Sequence, residues 1–474
     1  MIRPALLLLA VAISVSPVHA AATKLPPEVE RTLQGLDVHV DQISAFVQDA
    51  RTHEVILDIN GETSRSPAST MKVITTFAAL DTLGPAYTWK TRAYTRGTLR
   101  RDTLEGDLIL VGGGDPYMTL ERWWSFLNGL RHTGLKRIDG DVVIDNSLFS
   151  ASGQDRAAFD QQPLRAYNVL PDALLVNFQA STFNITADAL TNRAEVTVDP
   201  LPAGLTIKNE LRLGSGRCGG YNYGVSFDSS PKGDADELIV SGVFPAACQQ
   251  FAIARAVMTA PTYAYGVFKT LWEQLGGSTS GKLRLGVVPE NATLAYSYDS
   301  LTLAEIIRLV NKYSNNVMAR HLLLTLGAEK VGVPATMDAG RKVLYDWLGD
   351  HGIASAGTHI DNGSGLSREE RTTAKSMASV LQAACESPLM PEFAASLPLA
   401  ATDGTLRRRF RTPAMQGRLR MKTGRIDDVS AIAGYVSAAS GATYIVVIFV
   451  NAPNAHNGPG EEIQAALINW VFAR

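Results

Sequence analysis

Ser69 and Lys72 stand three residues apart, and Val73, Ile74, Phe77 and Leu80 follow at helical spacing. Residues three apart on a helix share a face. Ser66 is a plausible cap and Pro67 suits a first turn, so a buried helix is expected to start here. The pair then supplies a hydroxyl nucleophile with an amine base beside it. A hydroxyl is inert at its own pKa and needs such a base. A lysine serves only if burial or nearby cations hold it neutral. Two further clusters lie downstream. Ser314-Asn315-Asn316 sits between two helical patterns, and Lys422-Thr423-Gly424 sits at the edge of a strand pattern. Alone, the first reads as an ordinary cap and the second as an ordinary strand edge. Ser-x-x-Lys alone is also weak, since Ser229-Ser230-Pro231-Lys232 repeats it without an apolar helical stripe behind it.

The elements that must hold these residues can be read in order. Strands are expected at Gln42 to Val47 and Glu54 to Leu57, ahead of the Ser69 helix, which Leu83-Gly84-Pro85 should stop. Lys90 to Val111 alternates as strands do and runs into Gly112-Gly113-Gly114-Asp115-Pro116. A helix from Leu120 to Arg131, with Thr119 as cap, leads to Gly134 and a strand at Asp141 to Asp145. Tyr263 to Leu275, Gly276-Gly277 and Lys282 to Leu285 repeat that helix–Gly–strand unit, so both segments are expected in one domain. Residues 166 to 258 between them are rich in strands and turns, as a nested β domain would be. After Leu301, helical faces flank Ser314 to Asn316. A hairpin of Val429 to Val436 and Thr443 to Val450 and a last helix from Glu461 to Arg474 close the chain.

Met1 to Ala20 reads as a cleavable secretory signal peptide, which implies an exported protein in the periplasm. No other apolar stretch is long enough to span a bilayer, and the last helix lacks the basic cluster of a surface anchor, so no stable membrane anchor is expected. The net charge of −2 gives no electrostatic footprint for nucleic acid. Of the three cysteines, Cys218 and Cys248 bracket the turn-rich region and are expected to pair, with Cys385 a buried free thiol. Other pairings stay open. The eight histidines show no metal spacing, so no metal and no cofactor is expected. Gly276 to Lys282 imitates a phosphate loop, but Leu283 replaces the hydroxyl residue that binds magnesium.

Ser69-x-x-Lys72, Ser314-x-Asn316 and Lys422-Thr423-Gly424, in that order, resemble the three motifs of the penicillin-recognising enzymes. The 245 residues from Ser69 to Ser314 are far more than a β-lactamase carries there. The chain is similar to the penicillin-binding protein 4 type of D-Ala-D-Ala carboxypeptidase/endopeptidase, over nearly all of its mature length. Glu105 to Pro116, Asp361 to Arg368 and Asp403-Gly404-Thr405-Leu406 resemble further segments of that family.

The resemblance implies a multi-domain α/β fold: a transpeptidase-like domain, its antiparallel sheet flanked by helices, with two nested inserted domains. The expected boundaries are a leader at 1–20, catalytic parts at 21–88 and 293–474, an inserted domain at 89–165 and 259–292, and a β-rich domain at 166–258. It also implies a peptidase of peptidoglycan stem peptides and cross-links that β-lactams acylate. Its roles carry over as Ser69 nucleophile, Lys72 base, Ser314 proton relay, Asn316 holding the substrate amide, and Lys422 and Thr423 receiving the terminal carboxylate. The backbone N–H groups of Ser69 and of Arg425, after Gly424, would form the oxyanion hole. Arg368 matches a position facing the peptide stem.

Two positions depart from that pattern. Arg425 stands where the family has Thr or Ser. Gln162, with Asp160 nearby, stands where relatives often place an acid before a tyrosine, here Tyr167. A β-lactamase and a catalytically weak peptidoglycan-binding protein are the competing expectations. The motif spacing opposes the first, and the intact motif residues oppose the second.

Overall fold

Three sheets divide the chain. The computed structural model describes residues 22–150, 155–188, 191–219, 224–232 and 235–474, so the expected leader at 1–20 lies outside the described residues. The first sheet has five antiparallel strands in the order Leu419–Ile426, Val429–Ser437, Thr443–Asn451, Ile43–Asp49, Val55–Ile59. Its inner strands are runs of β-branched and apolar residues because helices cover both faces. Along Thr443–Asn451, Ile445, Val447 and Phe449 join one core with Ile74, Phe77, Ile307 and Leu322. Val446, Ile448 and Val450 join a second core with Val29, Leu33, Ile463 and Leu467. The alternation follows from the two-residue period of a strand.

The helix after Ser69 differs from the expectation at its start. Ala68–Met71 form a 3-10 turn, and the α-helix runs Lys72–Leu83, ending at Gly84 with φ 83°. Ser66 does not cap it; its backbone N–H goes to the Asn451 side chain at 2.9 Å. Ala68 is buried and held at φ 43°, a conformation costly for a residue with a Cβ, immediately before Ser69.

The second sheet carries Thr103–Val111 at its centre, antiparallel to Lys90–Arg100 and parallel to Val142–Asp145. Leu283–Leu285 pairs in parallel with Val142–Asp145, Leu283 opposite Val142, so the two helix–Gly–strand segments meet in one sheet. The second helix starts earlier than its apolar stripe suggested. It runs Ala260–Gln274, with the Thr259 hydroxyl accepting the Thr262 N–H and Pro261 in its first turn. The third sheet has six strands between Ser181 and Arg255, and Cys218 is bonded to Cys248 beside it. The second and third sheets share a hydrophobic core separate from the two around the first sheet. Cys385 is free and lies in the helix Ala374–Glu386, but it is only partly buried, packed against the edge of the core that Leu381 and Ala384 enter. Among the described residues, no helix is long and apolar enough to cross a membrane.

Candidate active site

Ser69 lies in the 3-10 turn and Lys72 is the first residue of the α-helix, so the change of helix type carries the pair. Lys72 is fully buried, and its Nζ lies 3.1 Å from Ser69 Oγ and 2.7 Å from Asn316 Oδ1, with a third contact to the Ser364 carbonyl. A neutral amine has two hydrogens and one lone pair. The Asn316 and Ser364 oxygens can only accept, so they take both hydrogens and leave the lone pair facing the Ser69 hydroxyl. Burial drives the Lys72 pKa well below the ordinary lysine value; Lys422 and Arg320 push the same way, while Glu370 opposes them.

Ser314-Asn315-Asn316 divides its work. Ser314 ends the helix Leu303–Tyr313 in a left-handed conformation, φ 56°. Asn315 is an ordinary cap after all, its Oδ1 accepting the Met318 N–H at 3.1 Å. The outer two residues reach the site, Asn316 to Lys72 and Ser314 to Lys422, whose Nζ donates to Ser314 Oγ at 2.8 Å. Lys422 is fully buried, and burial pulls its amine down to about 7.

Lys422, Thr423 and Gly424 lie on Leu419–Ile426, the outer strand of the first sheet. A Cβ on Gly424 would come within 2.6 Å of the Pro67 carbonyl and 2.9 Å of the Ser69 nitrogen. Only glycine lets this strand edge run against the nucleophile's backbone. Thr423 donates to Thr405 Oγ1 at 2.7 Å, and Asp403, two residues before Thr405, is held by Lys312 Nζ at 2.7 Å. Arg425 is exposed on the same strand.

Arg368 pairs with Asp427 at 2.7 Å and lies over the Phe159 ring at 4.8 Å. Arg368 and Phe159 line a polar cavity of about 500 Å³ that Arg156, Arg320 and Arg341 also reach. Asp160 is engaged: its carboxylate accepts from Tyr167 Oη at 2.5 Å and Asn168 Nδ2 at 2.6 Å, while Gln162 is exposed. The second Ser-x-x-Lys match lies in the strand Val225–Lys232 and not at the start of a helix. No cluster of three or more His, Cys, Asp or Glu that could hold a metal exists among the described residues.

Sequence reasoning missed Ser364, Arg320 and Glu370. Glu370 is fully buried, and its carboxylate accepts the N–H groups of Asn362 at 3.0 Å, Gly363 at 2.6 Å and Gly365 at 2.6 Å. Its only sequence signal is its position two residues past Arg368, inside a run of charges.

The model of the D-Ala-D-Ala carboxypeptidase 3 (S13) family matches residues 26–473. The D-alanyl-D-alanine carboxypeptidase DacB of Haemophilus influenzae is 26% identical over 437 residues, which cover 90% of this chain and 89% of that protein. A D-alanyl-D-alanine carboxypeptidase of an Actinomadura species is 28% identical over 93% of this chain and 82% of its own. The crystal structure of penicillin binding protein 4 from H. influenzae superposes with a TM-score of 0.80 at 24% identity, covering 94% of this chain and 99% of that one. A second structure of that protein, complexed with a β-lactam, gives a TM-score of 0.76. These likenesses show the fold: a multi-domain penicillin-recognising architecture.

Proposed function

The chain belongs to the D-Ala-D-Ala carboxypeptidase 3 (S13) family, and from that premise we propose which residues carry the reaction and on what substrate. As a member of that family the protein is a serine-type D-Ala-D-Ala carboxypeptidase. In our reading it acts on peptidoglycan stem peptides, and as a D,D-endopeptidase on their cross-links. Ser69 attacks the carbonyl of the penultimate D-Ala while Lys72 takes its proton. The oxyanion forms against the backbone N–H groups of Ser69 and Arg425, a low-dielectric setting in which such donors are strong. Collapse of the tetrahedral adduct breaks the peptide C–N bond, and the proton that Lys72 took passes by way of Ser314 to the leaving amine. Lys72 is then neutral again, able to take a proton from the attacking water and return it to Ser69. Water then hydrolyses the Ser69 ester and releases the shortened stem.

Asn316 has its amide oxygen committed to Lys72, which leaves its Nδ2 to donate to the substrate's backbone carbonyl. Lys422, Thr423 and Gly424 line the edge that receives the terminal carboxylate, with Arg425 outside it. Arg368 faces the stem side chain from the wall of the cavity. β-Lactams acylate Ser69, in keeping with the β-lactam complex of the H. influenzae relative. We place the protein in the periplasm, exported by residues 1–20.

The observation that carries this reading is the Lys72 amine, whose Nζ lies within hydrogen-bonding reach of Asn316 Oδ1, the Ser364 carbonyl and Ser69 Oγ. In the neutral form the first two take its hydrogens and the lone pair is left for Ser69. Digesting purified sacculi with the protein tests it. Release of free D-Ala and of un-cross-linked monomers, absent with Ser69→Ala, is expected; intact sacculi with no D-Ala released would overturn it.

A further inference from the structure

Among the described residues Glu370 has no side-chain partner of opposite charge within ion-pair distance, yet it is fully buried next to the catalytic centre. The loop it closes explains its place. Gly363 at φ 69° and Gly365 at φ 80° turn the backbone so that the N–H groups of Asn362, Gly363 and Gly365 all point at one carboxylate. Successive inward N–H groups of this kind make an anion-binding concavity. Here the anion belongs to the chain itself. Between those donors the Ser364 carbonyl points the other way and accepts from Lys72. The loop is also pressed against the nucleophile, since a Cβ on Gly365 would lie 2.0 Å from the Ala68 carbonyl and 2.6 Å from Ser69 Cα. Thr75, one turn beyond Lys72, fastens the same loop by donating to the Gly363 carbonyl at 2.7 Å.

On the reading of Ser69 and Lys72 given above, we propose that Glu370 is a positioning residue. Its carboxylate holds the loop that presents the Ser364 carbonyl to Lys72, and its charge sets how readily Lys72 takes a proton. Oε1 accepts from two N–H groups and Oε2 from one. Burial and the nearby Asp361 raise the Glu370 pKa, and these three N–H groups work against that and favour the ionised form. An anion here raises the affinity of Lys72 for its proton, while Lys422 on the outer strand and Arg320 on the helix Asn316–Lys330 lower it. Asp361, on the loop itself, and Arg320 are the other charges facing Glu370. Glu370 and Arg320 thus act on the base with opposite signs.

The test is the rate of acylation by a fluorescent penicillin across pH, per folded molecule, for the full chain with Glu370→Gln and Glu370→Asp. Gln keeps the size but loses the charge and one acceptor oxygen; Asp keeps the charge but withdraws it by one methylene. Both should acylate more slowly, on the order of tenfold to a hundredfold, because a carbonyl displaced by a fraction of an ångström misaligns Lys72. With Glu370→Gln the acid limb, where Lys72 becomes protonated, should also move to lower pH by about one unit, and with Glu370→Asp it should stay. A Gln variant with the parent's rate and the parent's limb overturns the proposal. So does a pair of variants that lose only melting temperature while each folded molecule reacts at the parent rate. Should the Gln variant not fold, an Asp variant at the parent rate suffices to overturn it. A parent chain that forms no adduct would instead sink the reading of Ser69, and with it this proposal, which rests on that reading.

Discussion

Lys422 Nζ donates to Ser314 Oγ across 2.8 Å from inside the protein, with its amine brought down to about 7 by burial. The charge that would meet a substrate carboxylate is therefore present below neutral pH and fades above it. KM for a peptide ending in free D-Ala should rise as pH passes from about 6 to about 8.5, while KM for its C-terminal amide stays level. Steady-state kinetics on the two peptides measures this directly. A flat KM for the acid over that range would show that Lys422 does not read the carboxylate.

Ser69→Ala should abolish covalent penicillin labelling and peptide hydrolysis together and leave the melting temperature nearly unchanged. Removing one hydroxyl from a cleft wall touches none of the mechanisms behind large stability losses. Mass spectrometry of the variant after incubation with penicillin is the check; an adduct would place the nucleophile elsewhere.

Arg425→Thr restores the residue type expected after Lys-Thr-Gly. Because Arg425 is exposed, solvent screens its charge, and any gain in carboxylate binding is small. The variant should weaken binding of the free-acid peptide by roughly two- to fivefold and leave the amide untouched. Equal changes on both peptides would mean that only the backbone of Arg425 matters.

His321 gives stability a pH dependence. It is fully buried, its Nε2 accepts the Asp172 N–H at 3.3 Å, and its Nδ1 faces the Gly114 carbonyl at 3.2 Å, a neutral tautomer with both nitrogens used. Burial lowers its pKa to about 4 from an ordinary 6.5. A base with a depressed folded-state pKa contributes its full stability above 6.5 and loses it as pH falls towards 4, here about 3 kcal/mol in all. Urea melts at neutral and acidic pH should therefore show a smaller acid loss for His321→Gln than for the parent. Asp172, buried beside it, titrates in both proteins and cancels. Identical losses would assign the acid sensitivity to other groups.

The three motifs were legible because each joins a chemically unusual residue choice to a recognisable break in periodicity. The hairpin strands and the Ser314–Asn316 interruption could be placed from apolar spacing alone. The 3-10 turn at Ala68–Met71 could not, since helical spacing looks the same for either winding until Gly424 and Gly365 are seen pressing on its backbone. Arg368-Glu369-Glu370-Arg371 reads as a solvated charged run. Burial of Glu370 follows from two glycines several residues earlier, a tertiary fact with no local signature. Asn316 shows the same limit: its type announced a polar contact, but not that the contact is Lys72.

Ile43 pairs with Val450, so the sheet behind Ser69 is assembled from the two ends of the chain. On a growing polypeptide the strands Ile43–Asp49 and Val55–Ile59 have only each other, and a two-stranded ribbon is marginal in water. The strands from Lys90 to Asp299 need no partner from either end and can be completed earlier. Lys422 and its strand come later still, and Thr443–Asn451, which joins the early strands to the late ones, is the last to arrive. The nucleophile is thus among the first residues made, but its catalytic surroundings are among the last, and a chain that stops short of Thr443–Asn451 carries no assembled bond-cutting centre.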